Sequence, residues 1–109
     1  MGFFRMYTNE QGKSVMEELS PDDPILESLK TCTGCSVQIN KQSEFGELHP
    51  APRRRWMTML KGRIEIQLAD GTIHSFGPED LRLWEDVTGE GHRTRFPVPS
   101  ISISMPLPD

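Results

Sequence analysis

The sequence predicts an all-β protein, a sandwich or closed barrel of short strands. Three observations carry that expectation. Short runs with strand character recur along the 109 residues, separated by turn signals at Asn9-Glu10-Gln11-Gly12, Lys61-Gly62, Asp70-Gly71 and Gly77-Pro78. Nine glycines and nine prolines mark many turns, and many turns in a chain this short mean short strands. Residues 63–69 alternate with a period of two, placing Ile64, Ile66 and Leu68 on one face and Arg63, Glu65 and Gln67 on the other.

In chain order, residues 3–8 read as a first strand, followed by a turn in which Gly12 supplies a positive φ. Residues 14–19 fit a strand or a helical turn. Ser20-Pro21-Asp22-Asp23-Pro24 is a break. Residues 25–30 are too few for periodicity to decide between a strand and one helical turn. Residues 36–40 alternate as a strand, and 41–48 form a polar loop leading to His49. Pro50 and Pro52 cannot donate ladder hydrogen bonds, which puts residues 49–52 at a strand start or an edge. A strand over 54–61 runs into Lys61-Gly62. Asp70-Gly71 joins 63–69 to a return strand over 72–76 and is the strongest hairpin signal in the chain. A strand over 81–84, a loop over 86–91, a strand over 92–96 closed by Pro97 and Pro99, and a half-buried last strand over 100–105 complete the reading.

Length and composition bound the function. A chain of 109 residues is one domain, 1–109, with a real but modest core. A net charge of −4 provides no domain-wide positive field, so a general nucleic-acid role is not expected. No apolar run approaches the roughly 20 residues of a membrane span, and the N-terminus lacks a signal-peptide pattern. Two cysteines in an acidic chain fit a cytoplasmic setting. Cys32-Thr33-Gly34-Cys35 is a C-x-x-C without the βαβ context of a redox motif or the second pair of a zinc site, so its expected role is small-residue packing.

The stretch from His49 to His92 carries a family resemblance. Gly62 matches the closing glycine of the pattern G-x5-H-x-H-x3,4-E-x6-G; counting back puts Arg55 in the glutamate slot, Ala51 in the second histidine slot and His49 in the first. Phe76-Gly77-Pro78-Glu79-Asp80 matches an F-x-P-G-D turn, and Gly89-Glu90-Gly91-His92 a G-x-x-H ending. With these motifs the chain resembles the cupins, and most closely a subgroup of small single-domain members with segments like H-P-A-P-R-R-Q, D-G, F-G-P-G-D and E-D-x-T-G-x-G-H-x-T. The resemblance covers nearly the whole chain, with its core motifs within 46–96. It implies a cupin double-stranded β-helix, a jelly-roll barrel, and a homodimer formed through sheet faces or exchanged N-terminal strands.

Many cupins bind a divalent metal through three histidines and a glutamate. This chain keeps only His49 and His92 of that set, while usual sites want three or four protein ligands. Strand alternation predicts that residues 49, 51, 53 and 55 share one face, which in a cupin is the interior. A guanidinium at position 55 would repel a divalent cation there. No metal cofactor is therefore expected; if one binds, His49 and His92 hold it, with Glu44, Glu47 or Gln38 as conceivable extra ligands but more readily read as solvated surface.

Without metal the same interior reads as a polar pocket. His49 and His92 are the expected acid and base near neutral pH. Arg55 is expected to act on developing negative charge and Arg53 to bind the same class of group, a carboxylate, enolate or phenolate. Asp86 is expected to orient a histidine or pair with an arginine. Met57 and Met59 give a soft apolar wall for an organic ligand. Arg54 should point outward and pair with Glu85 or another rim acid. His74 is expected on the outer face, and Trp56 and Trp84 as packing residues. The function these residues imply is a metal-independent isomerase or cyclase acting on a small organic molecule. Metal-dependent cupin chemistry such as a dioxygenase, and ligand binding or sensing without turnover, are the alternatives.

Overall fold

The computed structural model describes residues 2–108; residues 1 and 109, the ends of the expected domain, lie outside the described part. The described residues are mostly β, with two sheets and one short helix among them. The large sheet runs in the order β2 (Ser14–Leu19), β1 (Gly2–Thr8), β7 (Asp80–Trp84), β4 (Arg55–Lys61), β9 (Ser100–Pro106) and β3 (Ser36–Asn40). The small sheet runs β6 (Ile73–Phe76), β5 (Ile64–Gln67) and β8 (Arg93–Arg95). Neighbours pair antiparallel except β1 with β7, which are parallel.

The two stretches that periodicity left open are decided by what they pack on. Residues 14–19 are a strand because the Asn9 turn folds them back onto β1: Asn9 Oδ1 accepts from the backbone of Gln11 and Lys13, and Gly12 takes φ 77°. Residues 24–31 are a 3-10 helix, started by Pro24 and capped by Asp23, whose Oδ1 accepts from Ile25 N at 2.9 Å. Ile25, Leu26 and Leu29 of this helix cover the outer face of the large sheet against Leu19, Trp56, Leu83 and Leu107. Trp56 Nε1 donates to Ser28 Oγ at 2.8 Å, so its one polar atom is satisfied while its ring is buried.

The main core lies between the sheets and joins Met6, Met57, Met59 and Trp84 to Ile64, Ile66, Leu68 and Phe76. Strand alternation then assigns the faces. Because Trp56 packs under the helix, Arg55, Met57 and Met59 point into the interior. Because Leu81 and Leu83 pack under it too, Arg82 and Trp84 point inward. At the far edge, β3 pairs with β9 alone and leaves Val37 and Ile39 exposed beside Ile103 and Ile101.

Gly62 turns β4 into β5 at φ 84°, and a Cβ there would overlap the Ser100 side chain, whose Oγ accepts from Arg63 N. Gly62→Ala therefore combines a disfavoured backbone with a steric clash. It should lower stability by about 2 kcal/mol or more, read as a lower urea midpoint at unchanged slope.

Candidate functional site

The site begins where the chain crosses between the sheets. His49 and His92 form an antiparallel bridge outside the named strands, each backbone N–H donating to the other's carbonyl at 3.0 Å. Gly91 permits it: at φ 80° its α-carbon lies against the His49 backbone, where a Cβ would overlap the carbonyl. The imidazoles face each other at 5.1 Å between centroids, but their exposure differs. His92 is buried, while His49 is exposed at the rim, its Nδ1 3.1 Å from its neighbour's carbonyl at Pro50.

Behind His92 stands Asp86, fully buried. Its Oδ2 accepts from His92 Nδ1 at 2.6 Å and from Ser14 Oγ at 2.5 Å. Accepting from Nδ1 fixes the tautomer of the neutral ring and leaves Nε2 as the nitrogen free for chemistry. Asp86 O also accepts from Ala51 N at 2.9 Å, tying down the segment that leads to β4. Ser14 in turn lines a cleft of about 390 Å3 between β2 and the β5–β6 hairpin, with Met16, Lys13, Leu68, Asp70 and His74 among its walls. The volume lies within the usual range for a small-molecule site.

Two guanidiniums project into the same interior. Arg55 is half-buried, and burial lowers its pKa, opposed by the charge of Asp86. Arg82 is completely buried. Burial first, and then the like charge of Arg55, hold it down to about 9; Asp80 opposes this. Its Nη2 reaches only the Met59 sulfur at 3.6 Å, and its guanidinium lies over Trp84 at 5.0 Å and Phe76 at 5.6 Å. These ring faces recover part of the lost hydration, but no carboxylate pairs with either arginine among the described residues.

The remaining expected site residues fall into place as follows. Met57 and Met59 are buried in the interior wall, as the alternation predicts. Arg54 pairs outward with Glu85 at 2.6 Å, and Glu85 also accepts from Arg5. Arg53 departs from the expectation: it is exposed, and its Nη2 donates to Leu107 O at 2.7 Å. The shared-face argument fails for it, and for His49, because regular pairing begins only at Arg55; the segment around Pro50 and Pro52 bends instead of alternating. His74 departs too. It shares the inward face of Phe76, opposite Ile66, and lines the cleft instead of the outer surface. Trp84 is an interior residue and Trp56 lies under the helix; neither covers an opening.

Cys32 and Cys35 are free thiols; Cys32 packs beside Met105, and burial with the nearby Cys35 raises its pKa. Arg82 and Ser14 are the site residues that the sequence reading missed. The signal for Arg82 was present in Leu81-Arg82-Leu83-Trp84: if Trp84 faces the core, alternation places Arg82 there as well.

The donor set does not fit a tightly bound divalent metal. Of the ligand positions that the resemblance implies, Ala51 and Arg55 cannot coordinate a cation, and His92, held through Nδ1 by Asp86, offers Nε2 alone. Glu44 is exposed beside Arg95, Glu47 is exposed, and Gln38 lies on the β3 edge near Ser102. Among the described residues no group of three or more His, Cys, Asp or Glu side chains is gathered for a cation, and no helix is long and apolar enough to cross a membrane. No protein-family model matches the chain, and no curated protein matches it significantly.

Arg82 is a net burden on the fold. Its folded pKa lies below that of an unfolded arginine, so the penalty for its charge is fully present at neutral pH. The penalty is relieved only as pH rises above about 9. Arg82→Met should therefore raise stability at pH 7 by about 1–3 kcal/mol, seen as a higher melting temperature in calorimetry, with the gain shrinking above pH 9.

Proposed function

We propose that this chain is a jelly-roll domain that binds a small organic molecule between its sheets and isomerises or cyclises it by metal-independent acid–base chemistry. The path of the chain supports the jelly-roll. From β3 onward it alternates between sheets, through the bridge at His49, β4, the β5–β6 hairpin, β7, β8 and β9. The resulting order β3-β9-β4-β7 facing a His49 segment-β8-β5-β6 is the double winding expected of a double-stranded β-helix. The homodimer implied by the resemblance has a natural surface in the single-sided β3 edge with exposed Val37 and Ile39.

The chemistry rests on one observation, the buried His92–Asp86 pair backed by Ser14. Asp86 holds the ring in the tautomer whose Nε2 can take a proton and stabilises the imidazolium that results. Arg55 supplies positive charge for an enolate or alkoxide oxygen. His92 then returns the proton to a different atom, which is an isomerisation with no net change in charge. The cleft lined by Ser14 adjoins the His92–Asp86 pair through the Ser14 hydroxyl and is the approach this reading assigns to the ligand. Ligand binding without turnover is the second reading, and it draws on the exposure of His49: of the two imidazoles expected as acid and base, only His92 is buried.

Hydrogen exchange separates the two readings. In D2O the protein should introduce deuterium next to the carbonyl of suitable members of a panel of keto acids and keto esters, followed by NMR. His92→Ala should lower that rate about 10²–10⁴-fold, and Asp86→Asn should lower it while leaving the protein folded. Exchange equal to that of buffer across the panel would leave binding alone. Metal content tests the other premise. After soaking in Fe, Mn, Ni and Zn salts, mass spectrometry should find far less than one metal per chain. Stoichiometric metal that is lost on changing His49 or His92 would overturn metal-independent chemistry.

A further inference from the structure

We propose that Arg82 and Arg55 form a carboxylate-binding site inside the fold, so that the ligand of this protein is a small organic monoanion. The inference rests on reading the interior as a ligand chamber, and it names the class of molecule that the chamber takes.

Four buried side-chain polar atoms lack a hydrogen-bond partner among the described residues: Nε of Arg55, Nε and Nη1 of Arg82, and Oδ1 of Asp86. Native folds leave few such atoms, and each asks for a reason. Here they are not scattered. All four belong to inward-facing groups whose charges act on one another: Arg55 on Arg82, and Arg55 with Asp86. Three are donors and one is an acceptor. A carboxylate supplies up to four acceptor sites and fits the planar fork of a guanidinium.

Charge counting points the same way. Arg82 faces Phe4 across β1, Met57 and Met59 across β4, Phe76 from the small sheet and Trp84 on its own strand, all of them uncharged. The charged groups acting on it are Arg55, which repels it, and Asp80, which attracts it from the end of β7. Asp80 is committed to the backbone of Gly77, and Asp86 to Ser14 and His92. Among the described residues the interior therefore carries two guanidiniums against the carboxylate of Asp86. One further negative charge balances it, and the unmet donors are where that charge is wanted. The thioethers of Met6, Met57 and Met59 can reorient around a ligand of modest size. With its carboxylate on Arg55, the ligand lies on the Asp86 side of the interior, toward His92.

Thermal denaturation with formate, acetate and benzoate tests this, each compared with sodium chloride at equal ionic strength and with benzamide as the uncharged counterpart of benzoate. At least one carboxylate should raise the melting temperature by roughly 5 °C or more at saturation, while chloride and benzamide should not. Arg82→Met and Arg55→Met should each abolish the shift; if Arg82→Met fails to fold, Arg55→Met decides. Equal shifts with benzoate and benzamide, shifts that survive both arginine variants, or no shift with any carboxylate would overturn the proposal. His92→Ala should retain the carboxylate shift, because the arginines hold the anion. A protein that binds carboxylates but exchanges no C–H hydrogen would thus keep the anion site and lose only the acid–base reading.

Discussion

The carboxylate of Asp86 fastens three distant parts of the chain at one point. Ser14 arrives from the N-terminal hairpin, His92 from the loop before β8, and the backbone of Ala51 from the segment entering β4. A buried carboxylate is tolerated only when its hydrogen bonds are made, so its position sets the positions of its donors. The His49–His92 bridge, the start of β4 and the floor of the cleft beside Ser14 all depend on it.

Around that point the fold separates two kinds of interior. The outer face of the large sheet is closed by the 3-10 helix, and its one polar atom of note, the Trp56 indole nitrogen, is satisfied by Ser28. The space between the sheets is different. It holds the larger apolar cluster but also contains two arginines with no carboxylate paired to them among the described residues, and a carboxylate oxygen left unpaired. A domain seeking stability alone would place methionine or leucine at position 82. A guanidinium at that position stands against the cost of its burial.

The all-β class and most strands and turns could be read from the sequence because their signals are local. Asp70-Gly71 and Lys61-Gly62 set turns through glycine conformations, and residues 63–69 and 100–105 alternate as half-buried strands do. Residues 14–19 and 25–30 could not be assigned locally, since six residues fit either geometry until a neighbour is specified: β1 for the first, and the Trp56 face of the sheet for the second. The site was legible in part. Arg55, Met57 and Met59 lie on the interior face where alternation places them, and Asp86 holds the His92 ring, one of its two expected roles, whereas Arg53 and His49 lie outside because Pro50 and Pro52 break the alternation that was extended through them.

By itself the sequence determined the strand periods, the turns and the inventory of ionisable groups, because these follow from backbone chemistry within a few residues. Tertiary structure decided which of those groups lose their water. Arg82 and Arg54 are the same residue type, yet Arg54 pairs with Glu85 at the rim while Arg82 lies over aromatic rings, with no carboxylate paired to it among the described residues. The difference arises because the helix covers one face of β7 and the small sheet covers the other, so Arg82 and Leu83 in the middle of that strand are both buried.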